Sequence, residues 1–228
     1  MGAPKKGGKK TKPSNKMEKS LKARGYTRVC GVDEVGMSCI AGPVVAAAVI
    51  LDPARPIKGL NDSKLLTPEE RSDLFDIIID KADSYSVGLA TVEVINIKNI
   101  YWASREAMIS AINKILPKPD FLLIDGNQRL HMDISQESVV KGDTKCNSIA
   151  AASIVAKVSR DRIMEEFHNM YPDYGWITNK GYPTPFHRAA ISKYGLTALH
   201  RMRFKGTVEQ GAWKPVTLDD NGKVVKLI

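Results

Sequence analysis

Residues 30–36 read Cys-Gly-Val-Asp-Glu-Val-Gly, and the rest of the chain is organised around this stretch. Its valines are typical of a buried strand, and its glycines let backbone or a ligand come close. Asp33 and Glu34 cannot neutralise each other, and a buried charge is costly without a partner. Because successive strand residues point to opposite faces, the two acids share a site only where the strand ends or kinks, as at Gly36. A divalent cation would pair with both; a turn capped by Asp33 and a solvated Glu34 is equally compatible with these residues.

The net charge of +9 is concentrated at the N-terminus. Residues 1–28 contain eight Lys and two Arg against one Glu, whereas residues 29–228 contain 24 basic and 24 acidic side chains. The high isoelectric point therefore belongs to the N-terminal segment. Any polyanion-binding surface in the remainder must come from local clustering of charge.

Cysteine usage and hydropathy predict a cytoplasmic protein. Three cysteines without C-x-x-C spacing argue for a reducing compartment and against a disulfide framework or a zinc cluster. No apolar run reaches the length of a membrane span, and the N-terminus lacks the apolar core of a secretory signal. The four histidines are scattered without ligand spacing.

Three segments divide the chain. Residues 1–24 are rich in Lys, Gly and Pro and are predicted to be disordered, either as a nonspecific nucleic-acid arm or localisation signal, or as a solubilising tail. Residues 25–206 form the main domain. Residues 207–228 form an extension in which Asn221-Gly222 between two apolar runs predicts a β-hairpin.

The main domain alternates between strand and helix patterns, which predicts a mixed α/β fold with one central sheet. Strands are predicted over Tyr26–Val35, Pro43–Leu51, Tyr85–Ala90, Phe121–Ile124 and Gln136–Val140. Helices are predicted over 67–82, Glu93–Leu116, Ser148–Tyr171 and Pro185–Tyr194, with a polar loop over Leu60–Leu66. Thr67, Pro68 and Glu70 form a capping box. Small residues at the start of the third helix predict close packing against a sheet.

Two further acids follow predicted strands. Asp125 lies at the carboxyl end of an apolar strand, where ligand sites gather in α/β sheets, although Asp-Gly is also common in plain turns. Asp143 follows the fifth strand and could equally be an ordinary loop acid. Together with Asp33 and Glu34 they would offset two divalent cations, an arrangement that supports in-line attack on a phosphodiester.

Several motifs, in order along the chain, resemble the ribonuclease HII family. The resemblance extends roughly from Tyr26 to Phe204, and its motifs are Gly31–Gly36, Ala41–Ala48, Leu60–Lys64, Leu123–Asn127, Val140–Asp143, Ile149–Asp161, Gly181–Thr184 and His200–Phe204. The resemblance has a bacterial-type character. It implies an RNase H-like fold, with a central mixed β-sheet flanked by helices and a small helical C-terminal part.

The resemblance also implies endonucleolytic cleavage of RNA in RNA–DNA hybrids and at ribonucleotides embedded in DNA, in replication and repair. The family's catalytic and metal-binding carboxylates fall on Asp33, Glu34, Asp125 and Asp143. In the family, Mg²⁺ or Mn²⁺, two ions per active site during catalysis, activates a water that attacks the phosphate 5′ to a ribonucleotide. The products carry 3′-hydroxyl and 5′-phosphate ends.

Other positions match expected contacts to nucleic acid. Lys64 and Lys157 match residues near backbone phosphates, and Tyr182 matches a tyrosine that stacks on the sugar after the ribonucleotide. Ser63 and Ser153 are either hydroxyl contacts or small packed residues. Asp161 follows Ser-Arg on a helix and is interpreted as an ion-pair member or a supporting residue.

One triplet departs from the family pattern. The family has Gly-Arg-Gly after Asp-Glu-Val, whereas this chain has Gly36, Met37 and Ser38. Met37 removes a charge, and Ser38 adds a Cβ where the family has glycine. The departure puts the preference for a lone ribonucleotide junction in question.

A rival hypothesis is a noncatalytic hybrid-binding protein on the same fold, with salt-sensitive binding and no cleavage under Mn²⁺. The altered triplet supports it, whereas the full set of carboxylates argues against it, because a pure binder gains nothing by holding them against a polyanion. A monomer is expected, because the sequence has no heptad pattern and no additional apolar face.

Overall fold

The chain forms a five-stranded mixed sheet flanked by helices, seen in a computed structural model that describes residues 12–207, 216–218 and 224–227. The strands are β1 (Val29–Val35), β2 (Val44–Leu51), β3 (Ala82–Ala90), β4 (Phe121–Asp125) and β5 (Ser135–Val139). Their order in the sheet is β3-β2-β1-β4-β5. β1 pairs in parallel with β4, and β4 pairs in parallel with β5. The predicted α/β class with one central mixed sheet is confirmed.

Seven helices occur in the described ranges. They are α1 (Lys16–Ala23), α2 (Pro68–Lys81), α3 (Val92–Lys98), α4 (Ile100–Lys114), α5 (Asn147–Met170), α6 (Trp176–Asn179) and α7 (Pro185–Tyr194). Short 3₁₀ turns cover Ser63–Leu65, Gly142–Thr144 and Pro172–Tyr174. In the described part of the chain, none of the helices has the length and apolarity needed to span a bilayer.

The fold divides into two compact units, each with its own apolar core. The first unit takes in the described residues up to Glu34, Ala46–Gly88 and Met108–Val158, and the second takes in Val35–Val45, Leu89–Ala107 and the residues after Ser159. One core cluster of the first unit contains Leu21, Phe121, Leu123, Val139, Cys146 and Ile149. A core cluster of the second contains Ile40, Ala41, Met164, Tyr174, Trp176, Ala190 and Ile191.

Helix α2 begins as its sequence predicts. The Thr67 side chain accepts a hydrogen bond from the Glu70 backbone N–H, and the Glu70 carboxylate accepts one from the Thr67 N–H, with Pro68 at the first helical position. This reciprocal pair satisfies two amides that have no partner inside the helix.

The single helix predicted over Glu93–Leu116 is two helices, α3 and α4. Asn99 interrupts them in a left-handed conformation, with φ of 75°, and its side-chain oxygen accepts hydrogen bonds from the N–H groups of Tyr101 and Trp102. With ψ of 168° this is a backbone conformation that few residues other than glycine adopt, and the side-chain carbonyl of Asn99 serves as a cap for the second helix. Periodicity alone did not show the break, because the apolar pattern continues across it.

The prediction that residues 1–24 are disordered is wrong for α1, which spans Lys16–Ala23; residues 1–11 lie outside the described residues. Leu21 is buried in a core cluster, with Met17 packed against the same cluster. The two side chains are four residues apart and share one helix face. The basic composition of the segment hid this short apolar face.

The C-terminal hairpin is confirmed in its strands. β6 (Val216–Leu218) pairs antiparallel with β7 (Val224–Leu227), while the predicted turn at Asn221-Gly222 lies outside the described residues. The small helical C-terminal part corresponds to α6 and α7.

Candidate active site

Two carboxylates lie near the carboxyl end of β1. Asp33 is 7% exposed, and its Oδ1 accepts a hydrogen bond of 2.7 Å from the Glu34 N–H. The strand is pressed against the start of α5, because a Cβ added at Gly31 would lie 2.1 Å from the Ser148 carbonyl carbon. Only glycine permits this backbone-to-backbone approach. The small residues at the start of α5, Ala150, Ala151 and Ala152, are fully buried, as the sequence predicts.

Two more carboxylates lie at the same edge of the sheet. Asp125 is the last residue of β4, and Asp143 follows β5 in the turn Gly142–Thr144, hereafter the Asp143 turn. The Gly142 N–H donates a hydrogen bond of 2.6 Å to Asp125 Oδ1, which ties β4 directly to that turn. Because β1, β4 and β5 are parallel, their carboxyl ends meet at one edge. We call Asp33, Glu34, Asp125 and Asp143 the acidic cluster.

Like charges act on one another within the acidic cluster. Burial, followed by the charges of Glu34 and Asp125, raises the pKa of Asp33 well above its ordinary value. Burial and then the charge of Asp125 raise the pKa of Glu34 to about 7. Burial and Asp125 also raise the pKa of Asp143. The charge of Asp125 therefore acts on the other three acids, and all four predicted carboxylates lie at the same edge of the sheet.

The positive charge of Lys64 interacts with this cluster. Burial alone would lower the pKa of the Lys64 ammonium, but the surrounding carboxylates, first those of Asp62 and Asp143, raise it. Asp62 caps the 3₁₀ turn Ser63–Leu65 by accepting from the Lys64 N–H at 2.9 Å. Its charge also helps raise the pKa of Asp143. Asp62 is thus a fifth acid of the site, which sequence reasoning noted only as part of a motif.

Two serines support Asp33. The hydroxyls of Ser63 and Ser153 lie 3.0 Å apart, both residues are buried, and a hydrogen bond from Ser153 lowers the pKa of Asp33 against the effect of burial. Both serines are therefore packed residues, and the Ser153 hydroxyl is aimed at a carboxylate of the acidic cluster.

The donor set fits a hard divalent cation. In the described ranges no three His, Cys, Asp or Glu side chains converge as a ready-made metal cage. However, Glu34 Oε2 is buried and has no hydrogen-bond partner among the described residues. Together with mutually repelling carboxylates, an orphaned acceptor is the environment that a cation with a preference for oxygen would stabilise.

In the second unit, two buried arginines hold the segment of residues 36–43, hereafter the arginine-held segment. Arg201 donates to the carbonyls of Gly36 at 2.7 Å, Cys39 at 2.7 Å and Gly42 at 2.9 Å. Arg160 donates to Ala41 at 3.0 Å and to Pro43 at 2.9 Å. Both arginines are fully buried. The backbone of this segment is therefore fixed through its carbonyl groups.

The departing triplet lies at the start of this segment. Gly36 has a φ of 102°, and a Cβ there would lie 2.5 Å from Arg160 Nε, so glycine is required. Among the described residues, positive φ values outside glycine occur only at Asn99, Lys141 and Lys180. Ser38 therefore occupies a conformation open to any residue, and its Cβ introduces no backbone strain. Met37 is half-buried, and Ser38 is exposed.

Tyr182 lies in the second unit, on a loop held by a chain of imidazole hydrogen bonds. The Thr197 N–H donates to His200 Nδ1 at 2.9 Å, so His200 carries its proton on Nε2, which lies 3.1 Å from His187 Nε2. That atom of His187 also accepts from Trp176 Nε1 at 3.0 Å. His187 therefore carries its proton on Nδ1 and donates to the Tyr182 carbonyl at 2.9 Å. We call His187 and His200 the histidine pair.

The histidine pair is neutral. Both residues are fully buried. Burial, followed by the neighbouring His187, lowers the pKa of His200 to about 3, and burial lowers the pKa of His187. Tyr182 itself is 38% exposed. Lys157 and Asp161 are half-buried, and both engage in contacts.

Sequence reasoning missed several residues. Arg160, Arg201 and His200 stand in motifs that carry the resemblance, and His187 lies just after one. The burial of all four is invisible in the sequence, because such residue types are rarely fully buried. Glu18 was also missed: its Oε1 accepts from the Ser148 N–H and hydroxyl, each at 2.8 Å. A lone acid in a basic segment was the only available signal.

Comparison with known proteins shows consistent matches. The family model described as ribonuclease HII matches residues 30–207. Ribonuclease HII of Ruegeria sp. (strain TM1040) is 52% identical over 196 residues, covering 85% of this chain and 84% of the relative. Ribonuclease HII of Solibacter usitatus is 47% identical over 189 residues, covering 83% and 82%.

Solved structures agree. Ribonuclease H2 from Pyrococcus horikoshii superimposes with a TM-score of 0.69 at 28% identity, covering 81% of this chain and 97% of that one. A structure of Bst-RNase HIII in complex with Mn²⁺ superimposes with a TM-score of 0.65 at 20% identity, covering 81% and 69%, and shares the fold. Since the family model spans most of the chain and the curated relatives are about half identical to it, the chain belongs to the ribonuclease HII family, whose members are metal-dependent endoribonucleases of the RNase H-like fold.

Proposed function

We propose that this endonuclease cleaves the RNA strand of RNA–DNA hybrids and cuts 5′ of ribonucleotides embedded in DNA, leaving 3′-hydroxyl and 5′-phosphate ends. The observation that carries the proposal is the acidic cluster, in which Asp125 raises the pKa values of Asp33, Glu34 and Asp143 at one edge of the sheet. A protein that only bound a polyanion would have no use for this concentration of negative charge.

Mg²⁺ or Mn²⁺, two ions in our proposal, would be held by the acidic cluster and would supply Lewis-acid stabilisation of the phosphate and a water of lowered pKa. The chain's own residues prepare for this. The Gly142 N–H fixes the Asp125 carboxylate, and the Glu34 N–H together with the Ser153 hydroxyl orients that of Asp33. Glu34 leaves one oxygen without a partner. Asp33 and Asp125 are thereby preorganised as oxygen donors, and Glu34 has an oxygen available for a cation, which lowers the cost of assembling the site.

Lys64 is assigned to the phosphate of the scissile strand. Its pKa is raised by the surrounding carboxylates, so its ammonium stays protonated at the edge of the acidic cluster. A cation there positions a phosphate without reading sequence. We assign Lys157 to a neighbouring phosphate in the same way. For Ser153, the hydrogen bond to Asp33 favours support of the carboxylate over direct contact with the duplex.

The ribonucleotide junction is assigned to Gly36, Met37 and Ser38 and to Tyr182. Backbone groups at the triplet would contact the ribose 2′-hydroxyl, and the exposed ring of Tyr182 would stack on the following sugar. Because Ser38 adopts an ordinary conformation, we expect the junction preference to survive the departure from Gly-Arg-Gly.

Cleavage of two labelled duplexes tests the proposal. One duplex carries a single embedded ribonucleotide and the other a long RNA tract, each with Mg²⁺ and with Mn²⁺, beside an Asp125→Asn control. Cleavage 5′ of the lone ribonucleotide that is lost in the control is expected. Binding of both duplexes without cleavage would favour the noncatalytic hybrid-binding alternative.

The triplet is tested by two variants. Ser38→Gly is expected to leave the ratio of junction to tract cleavage unchanged within about twofold, since no strain is relieved. Met37→Arg adds one phosphate contact and should steepen the salt dependence of binding. A marked gain in junction preference with Ser38→Gly would show that glycine geometry is required there.

The three cysteines are buried and free, which supports a cytoplasmic location. We expect a monomer that binds RNA–DNA hybrid duplex and ribonucleotide-containing DNA.

A further inference from the structure

The segment before the family match is joined to the turn that carries Asp143. The family model begins at residue 30, whereas residues 14–23 lie before it and are ordered as α1 with its leading turn. The Ser14 N–H donates to the Lys145 carbonyl at 3.1 Å, and the Asn147 N–H donates to the Ser14 carbonyl at 3.2 Å. Ser14 therefore pairs through its backbone with the stretch between the Asp143 turn and α5.

Glu18 caps α5 from outside that helix. Its Oε1 accepts from both the N–H and the hydroxyl of Ser148, the second residue of α5, at 2.8 Å each. The first amides of a helix have no partner within it, and a carboxylate there also interacts favourably with the helix dipole. The start of α5 is thus satisfied by a side chain from α1. This side chain is more than a surface contact, because the second oxygen of Glu18 is buried and has no hydrogen-bond partner among the described residues.

Apolar contacts reinforce the same junction. Leu21 is 3% exposed and belongs to a core cluster with Phe121, Leu123, Val139, Cys146 and Ile149. The Cys146 thiol lies 3.1 Å from the sulfur of Met17. Helix α1 is therefore seated on β4, β5 and the first turn of α5, the elements that frame the Asp143 turn.

Only one turn separates these contacts from the acidic cluster. The N–H groups of Lys145 and Cys146 both donate to the Gly142 carbonyl, at 2.9 and 2.8 Å. The Gly142 N–H in turn donates to Asp125 Oδ1. A displacement at residues 145–148 would therefore be transmitted through Gly142 to both Asp125 and Asp143.

We propose that Glu18 is a positioning residue that caps α5 and thereby holds the Asp143 turn, so that Asp143 stays next to Asp125. The backbone pairing of Ser14 with Lys145 and Asn147 supports the same turn. The inference rests on the proposed metal-binding role of these two acids. It gives the N-terminal segment a role in the active site in addition to its charge.

Two substitutions and a matched control test this in the full-length protein. Glu18→Ala removes both hydrogen bonds, and Glu18→Gln retains an acceptor without the charge. Ser20→Ala, an exposed position on the same helix, is the control. Mn²⁺ affinity is measured by calorimetry without nucleic acid, alongside kcat, KM for a labelled hybrid, and the melting temperature in EDTA.

We expect Glu18→Ala to weaken Mn²⁺ binding by about tenfold and to lower kcat, because loss of an outer contact disturbs the orientation of a ligand. KM for the hybrid should stay within about twofold, because the substitution removes hydrogen bonds to Ser148, which is not among the residues assigned to the duplex. The Mn²⁺ affinity and kcat of Glu18→Gln should lie between those of Glu18→Ala and the wild type. Both values should be unchanged in Ser20→Ala.

A lowered melting temperature with unchanged Mn²⁺ affinity would overturn the proposal, because it would reduce Glu18 to a structural contact. Should Glu18→Ala not fold, Ser148→Ala, which removes one of the two hydrogen bonds, must still weaken Mn²⁺ binding for the inference to stand. Failure of the proposed function is a separate result: Asp125→Asn would then bind Mn²⁺ and cleave like the wild type.

Discussion

The acidic cluster and the arginine-held segment solve the problem of buried charge in opposite ways. In the segment, Arg160 and Arg201 are fully buried, and their guanidinium groups donate to backbone carbonyls at ordinary hydrogen-bond distances. In the acidic cluster, burial and neighbouring carboxylates raise the pKa values of Asp33 and Glu34, and one oxygen of Glu34 has no partner among the described residues. The positive charges are satisfied within the fold, and the negative charges are not.

The difference shows what each region is built to do. Hydrogen bonds to charged groups stabilise a backbone conformation strongly, and unmade ones are costly. The arginine-held segment is therefore a fixed scaffold. In the acidic cluster, the repulsion and burial of the carboxylates destabilise the metal-free protein, and a bound divalent cation would offset this destabilisation. Substitutions in the two regions should therefore have effects of opposite sign on the stability of the metal-free protein.

The largest effect is expected in the arginine-held segment. Arg201→Met removes the donors to the carbonyls of Gly36, Cys39 and Gly42 and leaves those acceptors buried. We expect the free energy of unfolding to fall by about 4 kcal/mol, measured by urea denaturation. The control Arg203→Met, at an exposed position nearby, should change it by less than about 0.5 kcal/mol. Equal stabilities of the two variants would show that the carbonyl contacts contribute little.

The opposite sign is expected in the acidic cluster. Asp125 raises the pKa values of Asp33, Glu34 and Asp143, and carboxyls whose pKa is raised by folding destabilise the native state once they are ionised. Asp125→Asn should therefore stabilise the metal-free protein by about 1 kcal/mol at neutral pH. Asparagine keeps the oxygen that accepts from Gly142.

The gain should depend on pH. It should grow as the pH rises to 8, above the pKa of about 7 at Glu34, and should disappear as the pH falls below the ordinary carboxyl value of about 4, where the carboxyls are protonated in both the folded and the unfolded state. Melting in EDTA from pH 4 to 8 measures it, with Asp133→Asn, at an exposed site, as the control. A gain that is constant across this range would mean that repulsion within the acidic cluster is not its cause.

The smallest effect is expected at Ser153, which donates a hydrogen bond to one carboxylate of the acidic cluster. Ser153→Ala removes a hydrogen bond that lowers the pKa of Asp33, so that pKa should rise further. The free energy of unfolding at neutral pH should fall by about 0.5 kcal/mol. A pH titration of Asp33 followed by NMR checks the direction. Ser63→Ala, which leaves Ser153 in place, should shift that pKa less. An unchanged pKa of Asp33 in Ser153→Ala would show that the Ser153 hydroxyl does not stabilise the Asp33 carboxylate.

Structural features that depend on residues close together in the sequence could be predicted from the sequence alone. The capping box of α2, the small residues at the start of α5 and the strands of the C-terminal hairpin all have short-range causes, and all are found as predicted. The placement of the four acids at one edge of the sheet follows from strand ends and parallel pairing.

Other features depend on contacts that are distant along the chain. α1 is ordered because Leu21 meets a core formed by residues one hundred and more positions later, and composition could not show this. The burial of Arg201 requires the carbonyls of residues 36–43, which lie far away in sequence. Neither feature leaves a local pattern.

The histidine pair makes part of the second unit insensitive to physiological pH. Protonating either imidazole would place a hydrogen on His187 Nε2, which already accepts from Trp176, or on His200 Nδ1, which accepts from Thr197. Each ring is therefore locked in a single tautomer. In ¹⁵N spectra His187 should appear as an Nδ1–H ring and His200 as an Nε2–H ring, both unchanged from pH 5 to 9. The two imidazoles thus provide a fixed internal reference against which the titration of the carboxylates can be followed.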